Sequence, residues 1–433
     1  MFTLKHVLSL LAIALVLTGT AAAVPGAKPA HTARLQKIAH ANPHEGYTGD
    51  VFGHLGYAYL SSWHGSQCPS DGVRVYDIHT PSKPKRTSTF ADAQSQPRVH
   101  GTWTEKTIVQ HVSTAGFTGE LAVVSFQSCG GSTFQGFGLY DVSNPAAPKE
   151  LSLTDLDPRG SHEIWLQRKG THAYVYTAIP RSELYSSPDF NIQTQRATIP
   201  GKPDFRIFDV SDPRHPVQVG EWGAWKELGI KPWEGRGGFS ANFVHSVITN
   251  ASATRAYLSY WDLGTVILDI SNPAHPRYLG RTPKTDAAGD THSAALAKNG
   301  KVLVETHETP DGHPTLFDIS NPAHPKKLSD FRLPGAVSAD DFTNGVHDPK
   351  VIGNRAYFSW YSRGVVVADI SNPRKPKLVA RYLPPKAFDP DHALCKSAAC
   401  RLVWGVYATK SYVLASDMVS GLWVLRLRAA QSR

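Results

Sequence analysis

Residues 268–276 read LDISNPAHP, and the same phrase returns along the chain. Residues 317–325 read FDISNPAHP, 368–376 read ADISNPRKP and 208–216 read FDVSDPRHP. Residues 140–148 read YDVSNPAAP, and 76–84 read YDIHTPSKP, the most diverged copy. Six aspartates thus form a ruler: Asp77, Asp141, Asp209, Asp269, Asp318 and Asp369, repeating about every 50 to 70 residues. The phrase has a physical logic. An Asp ending a strand can accept hydrogen bonds from backbone N–H groups two or three residues on. Asn-Pro or Asp-Pro then fixes the backbone, because proline sets its own φ and restricts the residue before it. The second proline opens another strand, which suits the outermost strand of a sheet.

The same grammar surrounds each copy. In the fourth, residues 243–249 form an apolar strand carrying His245, 255–261 a second, 265–270 a third and 277–281 a fourth. The second and third are β-branched and aromatic runs bounded by turn residues. Four short antiparallel strands per repeat make a β-propeller blade. First strands begin near Tyr47, His100, His162, His245, His292, His347 and Trp404, so seven blades are expected. The seventh has strands at 403–409, 411–416 and 421–427, and lacks a fourth. Residues 34–38, RLQKI, precede blade one and resemble fourth strands such as KLVAR at 377–381. The expectation is an all-β, seven-bladed propeller spanning 24–433 as one domain. Blade seven (about 402–428) is expected to be closed by an outer strand at about 33–39.

Residues 1–23 read as a secretory signal peptide: Lys5 and His6 start it, 7–17 form a short apolar core, and Ala21-Ala22-Ala23 fits the cleavage site. The apolar run is short for a bilayer span, and no lipid-attachment cysteine follows. A secreted, periplasmic or cell-surface monomer is expected, with no transmembrane segment after cleavage. In an oxidising compartment the four cysteines imply two disulfides. The net charge of +9 is spread thinly, with no Lys/Arg block, which argues against a nucleic-acid surface. It is compatible with contact to an anionic cell envelope.

The strand-three-plus-turn pattern resembles the LVIVD repeat of bacterial and archaeal secreted or surface proteins, over nearly all of the mature chain. That resemblance implies a β-propeller, in a family mostly without assigned activity. A more distant similarity is to the selenium-binding protein (methanethiol oxidase) propellers. The cysteine motifs of that group find no match here, so its activity is not carried over.

Strand direction puts the uniform DISNP turns on one face and every irregular loop on the other. Blade three inserts 180–204 between its second and third strands, and 222–240 lead to blade four with Trp225, Trp233 and a Gly-rich run. Binding usually sits where long loops gather on a rigid scaffold. Cys68 and Cys129 fall in corresponding loops of blades one and two, while Cys395 and Cys400 share one loop, so these are the expected pairs.

His100, His162, His245, His292 and His347 stand early in strand one of five consecutive blades, with Glu163, Asp290 and Asp348 nearby. Strand one lines a propeller's channel, so these imidazoles could hold Zn²⁺, Cu²⁺ or Fe²⁺. A repeat also keeps one residue at one place for packing, and the row reads equally as a channel lining. Blade seven has Trp404 there and blade one Tyr47 or Thr48. Trp63, His64, Trp261, Asp262, His307, Glu308, Trp360 and Tyr361 stand at strand-two ends on the same face. Aromatic and acidic rims suit carbohydrate, peptide or aromatic ligands, and equally suit packing under the loops. His215, His275 and His324 fall in the opposite turns and read as solvated. No nucleophile elbow, phosphate loop, HExxH helix or dinucleotide fingerprint is present. Three readings remain: an exported protein binding a protein, carbohydrate or small molecule over the channel; a metal-dependent oxidoreductase or hydrolase; and a cell-envelope adhesion protein.

Overall fold

The turn that repeats in the sequence repeats in space. In the computed structural model, which describes residues 33–235, 241–284, 290–335, 342–389, 391–395 and 397–429, all six ruler aspartates accept a backbone N–H two residues on. These bonds measure 2.8–2.9 Å, as at Asp369 and Asp269. The Asn or Asp three residues later makes a second such turn, for example Asn272 with the Ala274 N–H at 3.1 Å. Backbone and Ser271 side-chain hydrogen bonds, then Arg277, hold the Asp269 carboxyl down at about 2. The turns also join neighbours. Ser88, Ser152 and Ser329, equivalent positions on three outer strands, donate to the carbonyls of Pro145, Pro213 and Pro373 in the next blade's turn, at 2.6–2.7 Å. The same position is Gly220 in blade three and Gly280 in blade four. A Cβ there would stand 1.9 Å from the Pro273 carbonyl oxygen or 2.2 Å from that of Pro322.

Seven antiparallel blades follow in chain order, and a two-stranded ribbon of Ala387–Phe388 and Ala399–Cys400 precedes the last. Blade four is representative, with strands Val244–Thr249, Arg255–Tyr260, Gly264–Asp269 and Arg277–Arg281, within a residue or two of the sequence expectation. Arg255 pairs with Asp269 at one end of the blade, and Val244 with Tyr260 at the other. His245 and the DISNP turn therefore occupy opposite ends of the sheet. Between blades lie apolar clusters; one joins Tyr176, Phe205 and Ile207 of blade three to Val247, Leu258 and Val266 of blade four.

The ring closes through the N-terminus. Strand Ala33–Ala41 pairs antiparallel with Gly421–Ala429, from Ala33 opposite Ala429 to Ala41 opposite Leu422, with an irregularity at Ile38. Blade seven is thus the sheet of Val403–Ala408, Val413–Asp417, Gly421–Ala429 and this N-terminal strand. The signal-like residues 1–23 lie outside the described residues. Among those described, no helix is long and apolar enough to cross a membrane.

Both expected disulfides are present, Cys68–Cys129 and Cys395–Cys400. The first spans 61 residues and ties blade one to blade two, while the second spans 5. Chain entropy makes the longer closure worth more. Replacing Cys68 and Cys129 by serine is expected to cost about 2–4 kcal/mol, and the Cys395/Cys400 pair about half that. Denaturant midpoints of the two double variants report this directly, and equal midpoints would show that loop length does not set the contribution.

The long loops of blades three and four pack largely on one another. Helix α1 (Ser182–Tyr185) lies in the insertion and helix α2 (Ala224–Leu228) in the following connection. Glu183 accepts the N–H groups of Trp225 and Lys226, at 3.0 and 2.8 Å. Trp225 meets Trp233 edge-on at 5.1 Å, in a cluster with Leu184 and Ala197. This irregular stretch is a small core of its own.

Candidate functional site

Strand-two pairing identifies what each blade presents to the channel. Ser246 pairs with Ser259, Ser293 with Thr306 and Gly405 with Ser416. Glu163 pairs with Ala178, Lys106 exchanges hydrogen bonds with Ser125, and Asp348 does so with Ser359. The residue just before each of these forms a ring: Glu105, His162, His245, His292, His347 and Trp404, in blades two to seven. Blade one supplies Gly49 and Asp50 at a bulge opposite Ser61. Four predicted histidines are thus brought together. His100 is not: it is exposed, ending a 3-10 turn at Pro97–Val99, because strand one of blade two is interrupted between Thr102–Trp103 and Thr107–Ser113. Glu105 takes its place.

The imidazoles follow one another around the axis, T-shaped or tilted. Ring centroids are 4.4 Å apart for His162–His245, 3.9 Å for His245–His292 and 4.1 Å for His292–His347. Trp404 continues the line, 4.1 Å from His347, and donates its Nε1–H to Glu105 Oε1 at 2.6 Å. Glu308 comes in from the end of blade five: its Oε2 is 3.5 Å from His292 Nε2, and it accepts the Tyr361 hydroxyl. Burial holds His245, His292 and His347 well below their usual value and pulls His162 down to about 3, so the rings are neutral.

The next position in each blade forms a charged layer. Lys106 Nζ lies 2.7 Å from Glu163 Oε2, 2.9 Å from Asp348 Oδ2 and 3.4 Å from Asp50 Oδ2, all four groups buried. Burial pulls the ammonium down, but Asp348, Glu163 and Asp50 outweigh it and hold Lys106 well above its usual range. One cation cannot compensate three carboxylates. Burial opposes the charge of Asp348 too, yet Lys106 and then Lys350 keep it ionised, whereas burial prevails at Glu163 and Asp50 and pushes both up. Burial, then Glu163, also pushes Glu105 well up, and burial raises Glu308 to about 7.

A collar of aromatic rings surrounds the histidines. Trp63 lies 3.7 Å from His64 and 6.3 Å from Trp103, and Trp103 lies 5.6 Å from His162. Trp261 lies 5.2 Å from both His245 and Phe243, and Trp404 shares an apolar cluster with Trp63. Trp63 and His64 are half-buried; Trp103, Trp261 and Trp404 each keep 7–8 % exposure, whereas Tyr361 and His347 have none.

The predicted rim residues divide accordingly. Trp63, His64 and Trp261 join the collar, and Glu308 with Tyr361 joins the histidines. Trp360 packs on Phe331 and Phe358 and donates to the Asn344 carbonyl, so it belongs to the core. Asp262 accepts the Ala241 N–H and pairs with Lys284, organising a loop, and buried His307 lies 3.4 Å from Glu305, away from the ring. His215, His275 and His324 are exposed in the opposite turns. Sequence reasoning missed Glu105, Lys106, Asp50 and Trp103. The small residue that recurs opposite them in strand two, Ser125 in blade two, is the signal that would have set the register.

Fold and channel together define a seven-bladed propeller whose strand-one residues converge in a buried histidine–carboxylate cluster. The LVIVD repeat model matches residues 255–282, in blade four, and 346–383, in blade six, so this propeller carries LVIVD repeats. No curated protein matches the chain. Its fold is similar to the crystal structure of Chaetomium thermophilum Raptor, with a TM-score of 0.57 and 11% identity over 93% of this chain. The match covers 30% of that chain, and the likeness is one of fold alone.

Proposed function

We propose that the protein is an exported binding protein that takes a neutral or cationic ligand with a flat face at the aromatic collar over its channel. The observation that carries this reading is the convergence of Trp63, Trp103, Trp261 and Trp404 from four blades around one axis, above buried carboxylates. Indole faces stack on sugar or aromatic rings, and their negative faces attract cations rather than anions. Export is supported by the signal-like residues 1–23 and by two disulfides, which persist in oxidising compartments. The four converging imidazoles, three of them buried, favour a second reading, a metal-dependent activity beneath the same collar.

Titrating neutral oligosaccharides, aromatic amines and aromatic acids while following tryptophan emission tests the first reading. Amines or neutral sugars are expected to bind in preference to acids, and Trp63→Ala is expected to weaken binding by about 10-fold or more. Preference for the acids, or binding indifferent to both Trp63→Ala and Trp404→Ala, would remove the collar from consideration.

A further inference from the structure

The channel axis contains one cation position filled by the chain itself and, beside it, a set of donors lacking partners. In the charged layer the Lys106 ammonium occupies the centre of carboxylates from blades one, three and six, as a bound ion would. In the histidine ring no side chain among the described residues plays that part.

The hydrogen bonds around the ring prepare lone pairs. His292 Nδ1 faces the His347 carbonyl oxygen at 2.9 Å, so Nδ1 carries the proton and Nε2 presents a lone pair toward Glu308. His162 Nδ1 faces Gln127 Oε1 at 2.6 Å, which leaves its Nε2 as a lone pair 2.9 Å from His245 Nε2. His245 then donates from Nε2, and its Nδ1 has no hydrogen-bond partner among the described residues. Neither ring nitrogen of His347 has one, nor has Glu105 Oε2, although both residues are fully buried. A buried polar atom left this way is costly, which favours a partner for it. A protein carbonyl fixing the far nitrogen, as at His292, is the usual support of a metal-ligating imidazole.

Two sets of donors lie with all their ligand atoms within 4.8 Å of one another: His245, His292 and Glu308, and His292, His347 and Asp348. His292 belongs to both. Asp348 is already engaged by Lys106, which leaves the first set as the available one. Glu308 is oriented for it by the Tyr361 hydroxyl.

We propose that His245, His292 and Glu308 bind one divalent transition metal ion beneath the aromatic collar, with His347 adjoining the site. Two imidazoles and one carboxylate form a borderline donor set suited to Zn²⁺, Cu²⁺ or Co²⁺, and unsuited to Ca²⁺ or Mg²⁺, which take oxygen. Three protein ligands would leave a coordination position open. Binding of the metal does not depend on a ligand at the collar.

The test uses the mature chain, purified without a histidine tag, stripped with chelator and titrated with Zn²⁺ and Co²⁺. One equivalent is expected, with Co²⁺ developing the visible absorption of a nitrogen–oxygen site. His292→Ala is expected to weaken binding by about 100-fold or more, Glu308→Gln by about 10-fold with an altered Co²⁺ spectrum, and His100→Ala not at all. Glu308→Gln keeps the side-chain volume and an acceptor for Tyr361, so it decides the matter if His292→Ala fails to fold. A folded wild type that takes up neither metal stoichiometrically, or a Glu308→Gln variant with wild-type affinity and spectrum, would overturn the site. Collar binding measured in chelator remains a separate result, so the two proposals fail independently.

Discussion

Removing residues 24–41 is expected to leave a chain that no longer folds to a soluble monomer. The strand Ala33–Ala41 supplies the whole outer edge of blade seven, paired along Gly421–Ala429. Its Ala33 and Leu35 are buried with Val367 and Val379 of blade six, and Ala39 with Val51 and Leu60 of blade one. His40 stacks on Trp423 at 3.9 Å and bonds the Ser420 carbonyl at 2.6 Å. Truncation removes these contacts, exposes Trp423 and presents an unpaired strand to other molecules. Losing one strand's apolar burial and hydrogen bonds amounts to more than about 5 kcal/mol, comparable with the whole stability of a typical domain. Size-exclusion chromatography should show aggregate, and a synthetic peptide spanning the missing strand should restore monomer by strand addition. A truncated chain that elutes and melts like the full one would mean that the ring closes without its terminus.

Lys106→Met is expected to destabilise the fold by about 3–5 kcal/mol, although it keeps the length of the apolar stem and removes only the head group. The cost arises from what remains: Asp50, Glu163 and Asp348 would stay buried together without the ammonium at 2.7–3.4 Å that now pairs them. The second member of the test is Lys106→Met combined with Glu163→Gln and Asp348→Asn. Neutralising the stranded carboxylates should recover a large part of the loss, whereas a simple packing defect would persist. Urea midpoints of the single and triple variants decide between the two.

The architecture was legible in the sequence because it is written in local chemistry. Each ruler aspartate acts within its own turn, so Asp77 to Asp369 could be read without neighbours, and the missing fourth strand of blade seven pointed to residues 33–39. The site was legible where repetition continued. His162, His245, His292 and His347 align at one register, but blade two departs from it, and His100 stood in for Glu105 because imidazole was followed where strand pairing should have been. Lys106 carried no local sign at all. Its partners lie in blades one, three and six, with Asp348 242 residues away, and only closure of the ring brings them to one point. Trp360 and Tyr361 show the same limit on a smaller scale. Adjacent in sequence, where strand Arg355–Trp360 ends, they diverge, one into the core between blades and one to Glu308 beside the channel.

The Lys106 hub has a further consequence for how the molecule comes apart. Solenoid repeats touch only their sequence neighbours and can fray from either end. Here the two ends of the chain share one sheet at the rim, while one ammonium at the axis bonds blades that are not adjacent in sequence. No blade is terminal: blades one, two, three and six share the hub, blade seven carries the rim pairing, and blades four and five are held between them in the closed ring. The native state should therefore be lost in a single cooperative transition, and the protected amides of blade one and blade five should exchange with the same free energy.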